Sequence, residues 1–260
     1  MGVRQQGLAR LVDAGRGLGT GLLGAGVGAG RSLGAALGHL GHAVVRLARG
    51  EGRAGLGHVG HALVRVAQTP VDAPLLLGGR LLAALQVLTG LEPPGRRLTE
   101  RERTLLEGVF GSGVDLDRVR IKEGRVGVLG VSGRAFALGS TVYVPRGRGP
   151  LSPGLLVHEL THVWQYQHGG TRYLSAALWA QFLGDGYDWR KGLAEGRPWE
   201  ALNPEQQAAL LEHAFEAGAL GGGPGAVRGW TAEQLAYVRR VQAGLPHGVG
   251  AAGATVAKRG

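Results

Sequence analysis

Apolar residues recur at helical spacing in two stretches near the start of the chain. One stretch runs from Leu33 to Leu47 and the other from Leu56 to Val66, and within each the apolar positions lie three or four residues apart. This spacing predicts amphipathic helices. The two stretches contain an imperfect repeat, because GHLGHAVVRLA, which starts at Gly38, returns nineteen residues later as GHVGHALVRVA. We therefore predict a Gly/Ala-rich amphipathic helical arm over residues 1–70.

Two prolines predict the end of this arm. Pro70 and Pro74 each lack a backbone N–H, and a proline inside a helix costs about 3 kcal/mol. The following pattern, Leu75 to Thr89, predicts a more apolar helix, and the clearest boundary signal in the chain is the Pro/Gly-rich run at residues 90–95. We therefore predict an apolar helix and a linker over residues 71–95, with the functional domain starting at residue 96.

The functional domain begins with a capped helix and then changes period. Thr99 and Glu102 form a capping-box pattern, and the helix after them has a buried face made of Leu105, Leu106, Val109 and Phe110. Three short β-type segments follow at residues 119–121, 126–131 and 141–144, separated by Gly-rich turns. Pro145 predicts that the last segment is an edge strand.

The pattern then returns to helix. A helix from Leu155 to about Gln167 is predicted to start at Ser152-Pro153 and to stop at Gly169-Gly170. The domain is predicted to end at residue 220, and residues 221–260 to form a linker, a short helix capped at Thr231 and a flexible tail from Gly244. The predicted fold class is α+β: a short sheet and several helices, preceded by the helical arm.

The composition limits the possible zinc ligands but does not identify a binding partner. The formal net charge is +10, but the basic residues are scattered singly, so specific nucleic-acid binding is not expected. There are no cysteines, and any zinc must therefore be held by His, Asp or Glu. The Gly-rich start does not resemble a cleavable signal peptide, and arginines interrupt the early apolar stretches. We therefore expect a cytoplasmic protein or one exported by a non-classical route.

The repeat carries two His-x-x-His pairs, His39 with His42 and His58 with His61. Residues i and i+3 are neighbours on a helix, which would suit a metal ion. The same face continues into arginines that would repel a cation, so we interpret the histidines as the solvent face of the arm. Such an arm is expected to dock on its own domain, on a partner or, weakly, on a membrane surface.

The predicted helix from Leu155 contains the motif His158-Glu159-Leu160-Thr161-His162. On a helix the two histidines stand one turn apart on one face, and Glu159 lies about 100° round from His158. Two such histidines suit a zinc ion, and a neighbouring carboxylate suits removal of a proton from zinc-bound water. The motif therefore predicts zinc at His158 and His162, with Glu159 as general base.

Catalytic zinc usually takes three protein ligands. His168 has metzincin spacing, but Gln165 occupies the position where that pattern has Gly, and the only methionine is Met1, which leaves no Met-turn. Glu205 is the other main candidate: it lies in the first turn of a predicted helix that Asn203 and Pro204 begin, where it could equally interact with the helix end. Glu212 is a further alternative, and the candidate transition-state stabilisers are Tyr187, Tyr173 and His213.

Residues 96 to 220 resemble a bacterial domain family, DUF4157, also called the eCIS core domain. The resemblance rests on Val109-Phe110-Gly111, on the run from Leu156 to Gln165, and on the run from Asn203 to Ala208. It implies a zincin-like fold, zinc at His158 and His162, Glu159 as base and Glu205 as third ligand. It also implies a genomic setting near contractile injection systems and their toxins.

Two functions are predicted from these observations. The first is a zinc-dependent metallopeptidase in which zinc-bound water, activated by Glu159, attacks a peptide or protein substrate, with the strand ending at Val144 pairing with that substrate. The alternative is a non-catalytic structural or cargo module of an injection or toxin-delivery system that keeps the zinc site for stability. A third hypothesis is a toxin-like effector whose arm disturbs membranes.

Overall fold

The computed structural model describes residues 3–147, 151–183, 186–220, 227 and 229–251. Eight α-helices and three β-strands occur within those residues, so the predicted α+β class is confirmed. In chain order they are α1 (Val3–Ala48), α2 (Gly52–Thr89), α3 (Glu100–Phe110), β1 (Arg120–Gly124), β2 (Phe136–Leu138), β3 (Thr141–Pro145), α4 (Pro153–Gly169), α5 (Tyr173–Leu183), α6 (Trp189–Ala194), α7 (Pro204–Glu216) and α8 (Ala232–Gly244).

The arm is a long antiparallel hairpin of α1 and α2. The turn between them contains Gly50 with φ of 75°, a conformation that favours glycine. Small residues let the helices approach closely: Ala43 and Ala62 are buried, and a Cβ on Gly55 would lie 2.6 Å from Cγ of Leu47. Many larger apolar residues of the hairpin, such as Leu37 and Leu63, are exposed instead. Towards the turn, the hairpin is therefore held by close approach of the two backbones, and leucines such as Leu37 and Leu63 face outward.

The predicted end of the arm at Pro70 is wrong, because α2 continues through both Pro70 and Pro74. The two prolines are exposed and one turn apart, so the carbonyls that lose a partner lie on the solvent side. Tertiary contacts hold the other side of this turn: Leu76 is fully buried, and a buried Asp72 carboxylate accepts the backbone N–H of Ser175 at 3.0 Å. These contacts outweigh the local preference of proline.

The hairpin docks on the sheet and on α4. Arg80 of α2 donates to the Thr141 hydroxyl at 2.9 Å and to the Leu138 carbonyl, while Arg31 of α1 donates to the Gln167 carbonyl at 3.0 Å. Leu76 packs in a small apolar cluster with Tyr143 and other sheet residues. The arm was expected to dock on its own domain, on a partner or on a membrane surface. The structure shows it docked on its own domain.

The sheet has the order β1-β3-β2, with β1 parallel and β2 antiparallel to β3. The predicted edge position of β3 is therefore wrong: Pro145 is only its last residue, where the missing N–H disturbs little of the ladder. The predicted strand at 126–131 is also wrong, because residues 127–130 form a 3-10 turn that starts at Gly127 with φ of 56°. Strand β2 was not predicted. Since β3 is central, it has no edge for a substrate.

The main core lies between α3, the sheet, α4, α7 and α8, around residues such as Leu160, Trp164 and Leu210. The capping box on α3 and the bounds of α4 agree with prediction, with Ser152 as the N-cap of α4. The tail was predicted to be flexible from Gly244, but residues 245–251 pack on the core, and Leu245 is fully buried. The rest of the predicted tail, 252–260, and residues 221–226 of the predicted linker lie outside the described residues.

Within the described residues, α2 is the one helix whose length and composition would allow it to cross a membrane. Part of its apolar stretch is buried against the rest of the chain, as in the core helix of a soluble protein, which passes the same test. Length and composition alone therefore do not assign α2 to a membrane.

Candidate metal centre

Helices α4 and α7 lie side by side and bring three predicted residues together. His158 and His162 come from α4, and Glu205 comes from the first turn of α7. Asn203 caps α7 by accepting the N–H of Gln206, and the Gln206 side chain accepts the N–H of Asn203 in return. Because this reciprocal pair already caps the helix, the Glu205 carboxylate is directed to the histidines instead.

The separations within this cluster suit a single ion. Nε2 of His158 lies 3.5 Å from one carboxylate oxygen of Glu205, and Nε2 of His162 lies 3.5 Å from the other. One ligand atom from each of the three residues lies within 4.8 Å of the other two, and all three residues are buried. Zinc bonds of about 2.0–2.1 Å place tetrahedral ligands roughly 3.3 Å apart. The two separations of 3.5 Å between the histidines and Glu205 are close to this value.

Each histidine is oriented through its other ring nitrogen. Nδ1 of His158 contacts a carboxylate oxygen of Glu212 at 2.9 Å, and Nδ1 of His162 contacts the side-chain oxygen of Gln165 at 2.8 Å. With Nδ1–H as the donor, both Nε2 atoms are left with a lone pair towards Glu205. Hydrogen bonds of this kind raise the basicity of a metal-binding histidine and fix its tautomer.

Gln165 continues this arrangement into α7. Its side-chain nitrogen donates to the Pro204 carbonyl at 3.1 Å and to the side-chain oxygen of Gln207 at 2.9 Å. Gln207 in turn donates to the carbonyls of Trp199 and Gly250, both at 2.9 Å. The roles of Gln165 and Gln207 were not predicted, and the signal for Gln165 was its position three residues after His162 on the same helix.

Glu159 is a buried carboxylate beside the cluster. Its Oε2 atom has no hydrogen-bond partner among the described residues, and its side chain is almost inaccessible. Burial raises the pKa of Glu159, while the nearby positive charges of His158 and His162 lower it. A buried carboxylate without a partner is costly unless the site contains something for it to bind.

When no metal is bound, the charges of the cluster favour protonated histidines beside an ionised Glu205. Burial by itself lowers the pKa of His158, but the hydrogen bonds that its ring donates to Glu205 and Glu212 outweigh it and raise the pKa to about 10. Burial opposes ionisation of Glu205, yet the two histidines hold its pKa well below the usual range. The carboxylates therefore stabilise positive charge at this point, which either protons or a metal cation would supply.

The donor set fits the zinc ion that the family resemblance implies. Two neutral imidazole nitrogens and one carboxylate are typical zinc ligands and leave a fourth position for water or substrate. The hydrogen bonds at Nδ1 orient both histidines for such an ion. The unpartnered oxygen of Glu159 is free to accept a hydrogen bond from water bound at the fourth position. His158, His162 and Glu205 are the residues that would hold it.

The two alternative ligands, His168 and Glu212, do not join the three-residue cluster. Nε2 of His168 donates to the Gly113 carbonyl at 2.6 Å and its ring packs against Trp164, so the structure does not bring it to the cluster. Glu212 contacts the Nδ1 side of His158, where it orients the ring, rather than the Nε2 side that faces Glu205. His168 thus connects the end of α4 to Gly113, and Glu212 connects α7 to His158.

Of the predicted transition-state stabilisers, only Tyr187 has a suitable position. Its ring centroid lies 5.9 Å from that of His158, it is partly exposed, and burial together with Glu205 raises its pKa to about 12. Tyr173 uses its hydroxyl on the backbone, accepting from Gly139 N–H and donating to the Ala137 carbonyl. His213 accepts the indole N–H of Trp189 at 2.7 Å. Tyr173 and His213 therefore have structural roles.

Comparison with known proteins supports the family resemblance. Residues 97–170, which include the motif helix, match the family model of the eCIS core domain. The chain is also similar to the type VI secretion system spike protein VgrG2b of Pseudomonas aeruginosa, with 35% identity over 137 residues. No solved structure matches the chain.

The similarity to the spike protein is partial. It covers 46% of this chain but 13% of that protein's length. The shared segment is therefore about half of this chain and a small fraction of that protein.

Proposed function

We propose that residues 96–220 form a zinc-dependent hydrolytic module that cleaves peptide bonds and works within a secretion or injection system. One observation carries the hydrolytic part: His158, His162 and Glu205 converge from two helices within 4.8 Å, beside the buried carboxylate of Glu159. The spacing of the motif predicted two of the three candidate ligands, and the packing of α7 on α4 brings the third, Glu205, beside them.

The proposed chemistry assigns one task to each side chain. Bound zinc would supply positive charge that polarises a carbonyl and acidifies water. Glu159 accepts the proton of the attacking water at its unpartnered oxygen and delivers it to the leaving amine. The Tyr187 hydroxyl donates a hydrogen bond to the negative charge that develops on the carbonyl oxygen.

The proposed setting rests on the comparisons rather than on the geometry. The chain is similar to part of a type VI secretion spike protein, and the matched family is named for contractile injection systems. We infer that the partner is a component or cargo of such a system. The comparisons support this setting more directly than they support catalysis.

The same comparisons support a second candidate function, a structural or cargo module without catalytic activity. In that case a bound zinc would clamp α4 to α7 through Glu205, and Glu159 would have no chemical role. Buried ligands on two packed helices are compatible with this function as well.

Glu159→Gln separates the two functions, because it keeps the size of the side chain and removes the base. If the module is hydrolytic, cleavage of a fluorogenic peptide library falls about a hundredfold or more while zinc content stays equal to that of the parent chain. Glu107→Gln, at an exposed glutamate of α3, is the matched control and should cleave normally. A zinc-loaded parent chain that cleaves no peptide, just like Glu159→Gln, would establish the structural module instead.

A further surface role is supported by the hairpin. Its exposed leucines and valines, among them Leu33, Leu37, Leu40 and Leu63, are unusual for water-facing positions. We propose that this part of the hairpin contacts a membrane surface, with the arginines near the turn facing lipid phosphates.

A further inference from the structure

The hairpin brings together the two copies of the histidine repeat. Because α1 and α2 are antiparallel and turn near Gly50, His39 lies across from His61 and His42 across from His58. The ring centroids of these pairs are 5.4 and 5.5 Å apart, and those of His39 and His58 are 5.6 Å apart. The repeat therefore becomes a single group of histidines about one helical turn in height.

Three of these histidines have the separations of metal ligands. Nδ1 of His39 lies 3.3 Å from Nδ1 of His58, and one ring nitrogen from each of His39, His58 and His61 lies within 4.8 Å of the other two. Metal–nitrogen bonds of about 2.0–2.1 Å place tetrahedral ligands roughly 3.3 Å apart, so one ion fits between His39 and His58 with little movement. Nδ1 of His42 faces the carbonyl of Gly38 at 2.8 Å, within its own helix.

We propose that His39, His58 and His61 bind a divalent transition-metal ion that joins α1 to α2. A site made only of imidazoles favours ions of the zinc, nickel and copper group over magnesium or calcium, which prefer oxygen ligands. This site is separate from the His158 cluster and does not depend on the proposed hydrolytic function.

Arginines near the repeat are the main argument against a cation. Arg46, one turn after His42, is paired with Glu51 across the turn, which offsets its charge. The His cluster is also partly open to solvent, where salt screens charges beyond about 8 Å. Direct ligand bonds act at about 2 Å and therefore dominate over these more distant charges.

Such an ion would act where the hairpin has little other support. Arg31, which binds the end of α4, lies eight residues before His39, or about 12 Å along the helix. Near the histidines the helices pack through small residues such as Ala43 and Ala62. Alanines bury little apolar area, so a metal crosslink would stabilise this part of the hairpin more than its packing does.

The test uses the full chain with His162→Ala, a change that weakens metal binding at the His158 cluster and leaves the hairpin intact. Titration of the metal-free variant with Zn²⁺, and separately with Ni²⁺, is expected to show one bound ion per chain by calorimetry. Adding His39→Ala or His61→Ala should weaken binding at least about tenfold. Removing only the hydrogen-bond partner of a ligand already costs about 10- to 100-fold in affinity, and these changes remove a ligand itself. The exposed position of His61 makes the second change safe for folding, which far-UV circular dichroism checks.

His42→Ala is the matched control, because His42 belongs to the same repeat but lies outside the proposed ligand set. It should leave the affinity within about threefold of the parent, well short of the loss of about 10- to 100-fold expected when a partner of a ligand is removed, because its Nδ1 atom faces the Gly38 carbonyl of its own helix. The proposal is overturned if the His162→Ala chain binds neither ion, if His61→Ala binds as tightly as before, or if His42→Ala weakens binding as much as His39→Ala does.

Hydrogen exchange tests the crosslink itself in the otherwise unchanged chain. Zn²⁺ should slow amide exchange in both helices near the histidines, at residues 35–48 and 55–66, and should not do so in His61→Ala. Slowing limited to α4 and α7 would show that the ion binds the His158 cluster alone, and would contradict the hairpin site.

Discussion

At the scale of single residues, Gln165 has the widest influence on the candidate site. Its side-chain oxygen faces Nδ1 of His162, and its side-chain nitrogen reaches the Pro204 carbonyl and Gln207. One fully buried side chain thus sets the orientation of a candidate ligand and holds the start of the helix that carries Glu205. The same residue excludes the metzincin arrangement, because a glutamine keeps the chain helical where that pattern has glycine.

We expect Gln165→Ala to weaken zinc binding by about 10- to 100-fold, because His162 loses the partner that fixes its ring. Zinc titration against a competing chelator measures this change. Gln167→Ala is the control: Gln167 lies two residues further along α4 and bonds to the backbone of Asp115 instead of a histidine. Equal zinc affinity in Gln165→Ala and the parent would contradict the orienting role.

At the scale of elements, the hairpin shows how tertiary contacts overcome local propensity. Helix α2 passes through two prolines because one side of it is anchored, by Leu76 in the core and by Arg80 on the sheet. Its other side, and most of the hairpin towards the turn, exposes leucines and valines. The hairpin therefore has a half that docks on the domain and a half, towards the turn, that exposes an apolar surface.

Asp72 should be important for the docked half. We expect Asp72→Ala to lower the free energy of unfolding by about 1–3 kcal/mol, because the partly buried N–H of Ser175 loses its acceptor. Urea unfolding measures this change. Asp117→Ala, at an exposed ion pair with Arg103, should change stability much less, because water and salt screen such a pair. A loss at Asp72 no larger than the loss at Asp117 would show that this contact is unimportant.

The exposed half makes a prediction about lipid. We expect the full chain to bind vesicles that contain anionic lipid, and expect the combined change Leu37→Gln, Leu40→Gln and Leu63→Gln to remove most of that binding, because it takes away apolar area that would enter the interface. Vesicle flotation provides the measurement. Leu178→Gln, at an exposed leucine of α5, is the control. Unchanged flotation of the triple variant would contradict membrane contact by the hairpin.

At the scale of the whole molecule, the helices α4 and α7 tie the fold to the candidate chemistry. The residues that complete the cluster and orient it also bridge α4, α7 and the tail, through Gln207 to Trp199 and Gly250. The state of the cluster should therefore affect the stability of the complete domain.

The metal-free protein should be most stable at mildly acidic pH. The pKa of His158 is raised from 6.5 to about 10, so its contribution is full below about pH 6.5 and is lost as the pH rises towards 10. The pKa of Glu205 is lowered, so its contribution is present above about pH 4.5 and is lost as the pH falls further.

Urea unfolding of chelator-treated protein at pH 6, 8 and 10 tests this prediction. The free energy of unfolding should fall by at most about 1.4 kcal/mol per pH unit from His158 alone. His158→Gln should reduce the slope, and saturating zinc should reduce it as well, because a metal replaces the proton. A slope that His158→Gln leaves unchanged would place the titrating group elsewhere.

Much of the candidate site was predictable because its signals are local. His158, Glu159 and His162 lie within five residues of one helix, so spacing alone defines their relative directions. Ser152 and Asn203 begin their helices as their side chains predict. Strand order was not predictable in the same way: a proline at the end of β3 indicates an edge, but only pairing on both sides shows that the strand is central.

The amino-acid sequence by itself determined the amphipathic repeat, the helix caps, the α+β class and the motif histidines, because periodicity and capping act over a few neighbouring residues. The tertiary structure alone decided that α2 continues through its prolines and that Gln165 orients His162. It alone also brought Glu205 to the histidines and the two repeats to each other. Those outcomes depend on contacts between residues far apart in the chain, whose energies exceed the local preferences that a sequence pattern expresses.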